Sequence, residues 1–514
     1  MHKPICNRGL TLISFEDLPR GLPREISQKD SAPRALWVPP EGLAQSERWA
    51  PKPTAPLVGQ DRNGEWICLD DDRHLLTVAG SRAGKGVSVI LPNLAIYKGS
   101  VLVLDPKGEN ATLTAERRGR GRGVPAGGLG QDVFVLDPFG WADVDDEYRA
   151  GFNPLADLDP ADPLFVDHCD SIADALVVSE QGKENDHWSA NARLVLRGFN
   201  AWVASKPSGK RDLVEVSRLL HLPLSPPADE NGKRPKPNPD AYFDDLLDAM
   251  LDDPDRAWGV TAAAAGALLS MGHEERSSVL STVRQNILFL SSPQMAKMLS
   301  DTGRKPDLKA WKFGGQSIYL CLPAGFLHTH ARFFRLFLNR MLAAVEATPP
   351  VPRDDPKGLM ILDEIHVLGH MKALETAAGL LAGYGVRIWS FWQDFTQAES
   401  IYGKRWQTFL GNASLFQSFG LNDMMTLKFV SDRLGLSSMM QVSDSEISYD
   451  KAALGYSGKS KSIQGTPLLT PEEVAYHFSR QANAQLVIYP GGDPIWMRRL
   501  NYWNNEFSDL RMTK

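Results

Sequence analysis

Residues 79–88 read Ala-Gly-Ser-Arg-Ala-Gly-Lys-Gly-Val-Ser, between one apolar run (Leu75, Leu76, Thr77, Val78) and another (Val87, Val89, Ile90, Leu91). A strand, a glycine loop and a helix start in that order wrap backbone N–H groups around phosphate oxygens, and the helix N-terminus adds positive potential. Gly80, Ser81, Arg82, Ala83, Gly84, Lys85, Gly86 and Val87 form the candidate cradle, with the Lys85 ammonium placed to reach β and γ phosphates. The ligand such a loop calls for is a nucleoside triphosphate with Mg²⁺.

Two positions depart from the pattern G-x-x-x-x-G-K-[ST]. Ala79 stands where the first glycine is usual, and Gly86 stands where a hydroxyl normally ligates Mg²⁺. Gly86 supplies no oxygen, so Ser88, a carboxylate elsewhere or water must complete the metal shell. An ordinary glycine-rich turn would carry the same residues, and a second half of the site is needed to decide between them.

Residues 358–364, Gly-Leu-Met-Ile-Leu-Asp-Glu, supply it: a continuous apolar run of the kind buried in a parallel sheet, ending in two adjacent acids. At a strand's carboxyl end Asp363 is placed to hold Mg²⁺ and Glu364 to act as general base on the attacking water. Val101–Asp105 and Val133–Asp137 each end in a lone acid followed by proline, where a helix cap or turn is as good a reading. Gln393 follows the strand Arg387–Trp392, where a polar residue contacts a γ-phosphate or simply lies at the surface.

The elements around these residues form an α/β architecture. At 514 residues the chain exceeds one ordinary core. Its 43% apolar and 23% charged residues are those of a globular protein. No stretch approaches the roughly 20 uninterrupted apolar residues of a membrane helix, and no secretory signal opens the chain, so the expected location is cytoplasmic. Cys6, Cys68, Cys169 and Cys321 lie far apart and indicate neither zinc nor disulfides. His328 and His330 lack the acids of a metalloprotease site. A net charge of −6 restricts any nucleic-acid contact to a local surface such as a pore or loop.

Residues 1–74 read as an irregular N-terminal arm with a small β element near Trp66–Leu69. Strands and helices alternate over 75–158, giving the first part of the nucleotide-binding core. Over 159–306 strand signals vanish and helical spacing takes over, with an exposed loop at Leu222–Pro239, so an all-helical insertion is expected. Strands resume at Ser317–Leu322, Leu359–Asp363, Arg387–Trp392, Leu415–Phe419 and Gln485–Tyr489, making 307–505 the second part of the core and 506–514 a tail. Arg117, Arg118, Arg120 and Arg122 form the densest positive cluster, read either as a solvated helix end and loop or as a phosphate-backbone contact. Trp389 and Trp392, inside a strand, read as core packing before base stacking.

Taken together these segments resemble the coupling-protein ATPases of bacterial type IV secretion and conjugative DNA transfer. The resemblance rests on the 79–87 loop, Leu104–Glu109 (Leu-Asp-Pro-Lys-Gly-Glu), Asn153-Pro154-Leu155, Leu362-Asp363-Glu364 with Leu368-Gly369, and Gly383-Tyr384-Gly385. Gln393 with Gln397, Tyr402-Gly403 and Leu468–Val474 (Leu-Leu-Thr-Pro-Glu-Glu-Val) complete it over residues 75–505. That family often carries Ala and Gly at the two departing loop positions. The resemblance implies a RecA-like P-loop core with a mainly parallel sheet and an all-α insertion that selects cargo, assembled as a homohexamer. It implies recruitment and translocation of DNA, or a DNA–relaxase complex, to secretion-channel components at the inner membrane. By the same resemblance Lys85 grips phosphates, Asp363 organises Mg²⁺, Glu364 activates water, Gln393 senses the γ-phosphate, and an arginine from a neighbouring subunit, not identifiable from sequence, completes the site. Members usually begin with transmembrane helices and this sequence shows none, so a soluble form is expected, peripheral to the membrane through a partner or working elsewhere. Two other functions fit the residues: an ATPase recruiting protein effectors, and a nucleotide-gated scaffold that does not hydrolyse, the latter prompted by Gly86.

Overall fold

In the computed structural model the apolar runs become strands buried along their length, because a parallel sheet covered on both faces has no solvent side. Residues 35–178, 187–206, 210–224, 236–301, 303–352, 355–444 and 459–511 are described. Cys6, residues 1–34 of the expected arm, 225–235 of the expected exposed loop and 512–514 of the tail lie outside them.

The strands are β1 (Leu57–Gln60), β2 (Trp66–Cys68), β3 (His74–Ala79), β4 (Val101–Asp105), β5 (Asp132–Leu136), β6 (Gln316–Cys321) and β7 (Gly358–Leu362). They continue with β8 (Val386–Trp392), β9 (Ala413–Phe419), β10 (Leu436–Asp444), β11 (Lys459–Pro467), β12 (Ala484–Ile488) and β13 (Ile495–Arg498). Eleven of them form one sheet in the order β2-β1-β13-β12-β9-β3-β8-β7-β4-β6-β5. Pairings from β9 to β5 are parallel, and those from β9 out to β2 are antiparallel.

This sheet departs from the sequence reading on one side. Within the expected arm the β element near Trp66–Leu69 is β2, and a further strand, β1, lies before it: β1 and β2 pair with each other, and β1 pairs with β13. Strands of three or four residues at an antiparallel edge carry too short a pattern to stand out in sequence. Residues 431–470 also fall outside the unit that holds the core. The described residues among them belong to a second unit, which contains the β10–β11 hairpin, paired from Leu436↔Pro467 to Asp444↔Lys459. The sequences of these two strands, rich in Ser, Lys and Gln, lack the apolar run of a core strand.

A π turn (Gly86–Ile90) leads into α1 (Leu91–Ile96), and α2 (Glu109–Arg118) follows β4. The described residues between β5 and β6 contain helices and no strand: α3 (Phe165–Leu176), α4 (His187–Ala204), α5 (Leu213–Leu220), α6 (Phe243–Leu251), α7 (Val260–Ser270), α8 (His273–Ile287) and α9 (Pro293–Ser300). After β6 come α10 (Leu327–His330) and α11 (Arg332–Glu346), and α11 packs on α3. Beyond β7 lie α12 (Lys372–Leu380) and α13 (Phe395–Tyr402). No helix among the described residues is long and apolar enough to cross a membrane.

Candidate nucleotide site

Three neighbouring parallel strands deliver the site. β8 lies between β3 and β7, with Val78 in register with Trp392 and Leu362 with Ser390. The loop after β3, the acid pair after β7 and Gln393 after β8 therefore emerge together at the carboxyl edge, where open parallel sheets bind ligands.

The loop is held by its surroundings. Gly80 N–H donates to Gly420 O (3.2 Å), and a Cβ at Gly80 would stand 2.3 Å from that oxygen, so only glycine passes the end of β9 this closely. Ala83 N–H returns to Gly80 O and Ser88 N–H to Gly84 O. The N–H groups of Gly84, Lys85, Gly86 and Val87 have no backbone acceptor among the described residues, as a phosphate cradle requires. Arg82, exposed, takes a left-handed φ of 56°, a strain of the kind found at ligand clamps.

Lys85, 8% exposed, has an ammonium without a hydrogen-bond partner, 3.7 Å from Glu364 Oε1. Gln393 Nε2 donates to Glu364 Oε2 at 2.8 Å, and His366 Nδ1 lies 3.3 Å from the same oxygen. Burial pushes the Glu364 carboxyl up, but His366, the Lys85 charge and the Gln393 amide outweigh it and hold the pKa at about 2. Burial and the Glu364 charge raise the pKa of Asp363 to about 6, against Lys85, the Glu364 N–H and Lys107. The two acids are thus driven apart: one firmly ionised, the other poised to ionise fully beside a cation. Glu364 has a φ of 54°, which turns the chain sharply after β7.

The structure therefore brings together Lys85, Asp363, Glu364 and Gln393. Ser88 sits in the π turn, and no hydrogen bond joins it to either carboxylate among the described residues. A buried ammonium and four loop amides without hydrogen-bond partners among the described residues, with two acids beside them, fit a magnesium–triphosphate group. Asp363 would hold the metal and the loop the phosphates.

Sequence reasoning missed three contributors. His366 supports Glu364. Gly420 accepts the loop's first amide with φ +62°. Arg499, buried, donates to Ala83 O (2.8 Å) and Arg480 O (2.6 Å), with its guanidinium carbon 4.8 Å from the Phe419 ring centroid. Only Gly420, a glycine just past a strand, left a local signal.

The arginine cluster divides: Arg117 and Arg118 are buried in the fold, whereas Arg120 and Arg122 are exposed in surface ion pairs. Arg118 is fully buried and donates to the carbonyls of Leu94, Tyr97 and Gly99 and to Gln131 Oε1, and burial lowers its pKa to about 10. Arg117 donates to Ala95 O and Gly127 O. Arg120 pairs with Glu147, and Arg122 with Glu116, Asp145 and Glu147. These charges brace the fold. Asp105 and Asp137 are helix and turn formers, accepting the N–H groups of Ala111 and Ala142, while Trp389 and Trp392 are core residues.

Known proteins share this arrangement of elements. The profile of the family described as Type IV secretory system Conjugative DNA transfer matches residues 27–514. Protein VirD4 of Agrobacterium fabrum (strain C58) is 25% identical over 462 residues, which is 86% of this chain and 60% of that protein. Conjugal transfer protein TraG of Escherichia coli is 25% identical over 479 residues, 87% of this chain and 69% of that one. The chain thus spans about 60% of the length of VirD4. Among solved structures, unbound bacterial conjugative coupling protein TrwBdeltaN70 shares the RecA-like fold with a TM-score of 0.59 at 15% identity, covering 84% of this chain and 85% of that one. Plasmid coupling protein TrwB in complex with ADP and Mg²⁺ gives 0.57 at 15% identity, covering 85% and 88%.

Proposed function

The chain belongs to the type IV secretory system conjugative DNA-transfer family, and from that premise we propose that it is an ATPase that couples DNA, or a DNA–relaxase complex, to a secretion channel. The observation that carries the motor reading is the convergence of Lys85, Glu364 and Gln393, drawn from three strand ends onto one carboxylate.

Lys85 stands beside Glu364, its ammonium 3.7 Å from Oε1. When a triphosphate enters, the ammonium turns to the β and γ phosphates and leaves Glu364 to the water it is to deprotonate. Gln393, bonded to the same carboxylate, keeps it aimed and is near enough to register whether a γ-phosphate is there. Asp363 would hold a Mg²⁺ ion, which would supply positive charge to the phosphates. An arginine of a neighbouring subunit in a homohexamer completes the charge. DNA cargo is supported by the family's description, and the protein works at the inner membrane through channel partners.

Turnover of ATP by wild type, Lys85→Ala and Glu364→Gln tests the motor. Wild type exceeds both by at least about 100-fold, and Glu364→Gln still binds ATP; equal rates for all three leave a nucleotide-gated scaffold. DNA affinity titrated against salt tests the cargo, with a steep loss expected because phosphates are neutralised. A flat response points to protein effectors.

A further inference from the structure

Helix α11 begins with two arginines, Arg332 and Arg335, and the second reaches the turn that carries Glu364. Arg335, 6% exposed, donates through Nη1 to Leu368 O (2.8 Å) and His370 O (2.7 Å), both in the turn that follows β7. Its Nε donates to Ala175 O (3.2 Å), in the last turn of α3. One turn of helix earlier, Arg332 donates to Leu176 O (3.0 Å) and to Asn286 Oδ1 on α8 (2.9 Å).

Two guanidinium groups thus occupy carbonyls that a helix end leaves without intrahelical donors, and one extends the bond across to the catalytic turn. The planar fork fixes spacing as well as contact, so a shift at the end of α3 is transmitted to Leu368 and His370. From these bonds we infer that Arg335 is a positioning residue for Glu364, tying the catalytic turn to the end of the all-helical insertion so that movement there changes hydrolysis. Between the two lies a cleft of about 420 Å³ lined by Val178, His328, Arg332, Arg335, His366 and Leu368, which leaves room for the turn and the helix end to shift together.

The chain from Glu364 to the anchored carbonyls is short and strained. Glu364 is in the left-handed region, Gly369 has φ +61°, and His366 lies against the Glu364 carboxylate. A left-handed glutamate persists only where its surroundings over-determine it, and Arg335 supplies the restraint on the side away from β7. Losing the donor to two of its carbonyls frees the turn and lets the carboxylate drift from the attacking water. A misplacement of about 1 Å costs about 100-fold in rate while leaving the phosphate cradle intact.

The inference rests on the proposed hydrolysis, so wild type and Lys85→Ala are measured beside Arg335→Gln and Arg335→Lys. The expected result is a fall in kcat of about 10- to 100-fold for Arg335→Gln, with affinity for a fluorescent ATP analogue within about threefold of wild type. Backbone hydrogen exchange accelerates at 365–370 and at 175–178 together. Arg335→Lys, which keeps a donor, recovers part of the rate. Wild type no faster than Lys85→Ala sinks the ATPase reading itself. An active wild type with unchanged kcat in Arg335→Gln, or with kcat, nucleotide affinity and melting temperature falling together without faster exchange at 365–370, overturns the positioning role. Should Arg335→Gln not fold, Asn286→Ala removes the acceptor of Arg332 and so loosens from α8 the end of α3 to which Arg335 is tied. It lowers kcat about two- to fivefold at unchanged nucleotide affinity, and an unchanged kcat there overturns the inference.

Discussion

Gln393 donates its side-chain amide to Glu364 across 2.8 Å, bridging the ends of two adjacent parallel strands. The bond makes each side chain a report on the other: whatever draws Gln393 toward a phosphate releases one carboxylate oxygen. Replacing Gln393 with Ala removes an orienting donor and leaves the phosphate loop untouched. Its kcat is expected to fall about tenfold or more, with nucleotide affinity unchanged in a binding titration. Equal losses in both quantities would show that Gln393 shapes the cradle instead.

Gly420 holds the cradle from outside. Its φ is +62°, and a Cβ there would stand 2.5 Å from Ala83 Cβ. Gly420→Ala is therefore strained in backbone and contact alike. Nucleotide affinity is expected to drop about tenfold, the equivalent of about 1.4 kcal/mol, as measured by calorimetric titration of an ATP analogue.

His74 gives a pH dependence that precedes any catalysis. It is buried at the start of β3, accepts the N–H of Ile388 on β8 through Nδ1, and burial lowers its pKa to about 4. The native state therefore binds fewer protons than the unfolded chain between about pH 4 and 6.5. The contribution is complete above about pH 6.5 and is lost as pH falls through about 4. The stability at stake is about 3 kcal/mol. His74→Asn keeps an acceptor and does not titrate. Melting curves of the two proteins from pH 7.5 to 4.5 are expected to show wild type losing more; parallel curves contradict the assignment.

Arg118 is buried against backbone carbonyls, and Arg122 belongs to a surface ion-pair network. Arg118→Met strands the buried carbonyls of Leu94, Tyr97 and Gly99 and is expected to cost about 3 kcal/mol in chemical denaturation. Arg122→Ala is expected to leave the salt dependence of DNA binding unchanged. A shallower slope in that variant would return the cluster to the DNA surface.

The parts of the site legible in sequence are those whose chemistry is contiguous. Gly84-Lys85-Gly86 and Asp363-Glu364 follow directly on apolar runs, so strand, loop and acid announce one another. Gln393 was locatable because it ends a strand, although its acceptor was not. The arginine cluster misled because Arg118 owes its burial to carbonyls of residues 94–99, which no charge pattern reveals. Strand β1 escaped because four residues at a sheet edge carry little periodicity. His366, Arg335 and Arg499 act through bonds that exist only once separate strands and helices are packed.

Arg499 caps Ala83 O from 416 positions later in the chain, and Tyr502 N–H donates to Val87 O. The phosphate loop is thus clasped by residues that leave the ribosome long after the loop itself. During synthesis the glycine loop, both acids and Gln393 are all outside the tunnel while the clasp is still unmade. The loop's final shape therefore waits on residues made more than 400 positions after it.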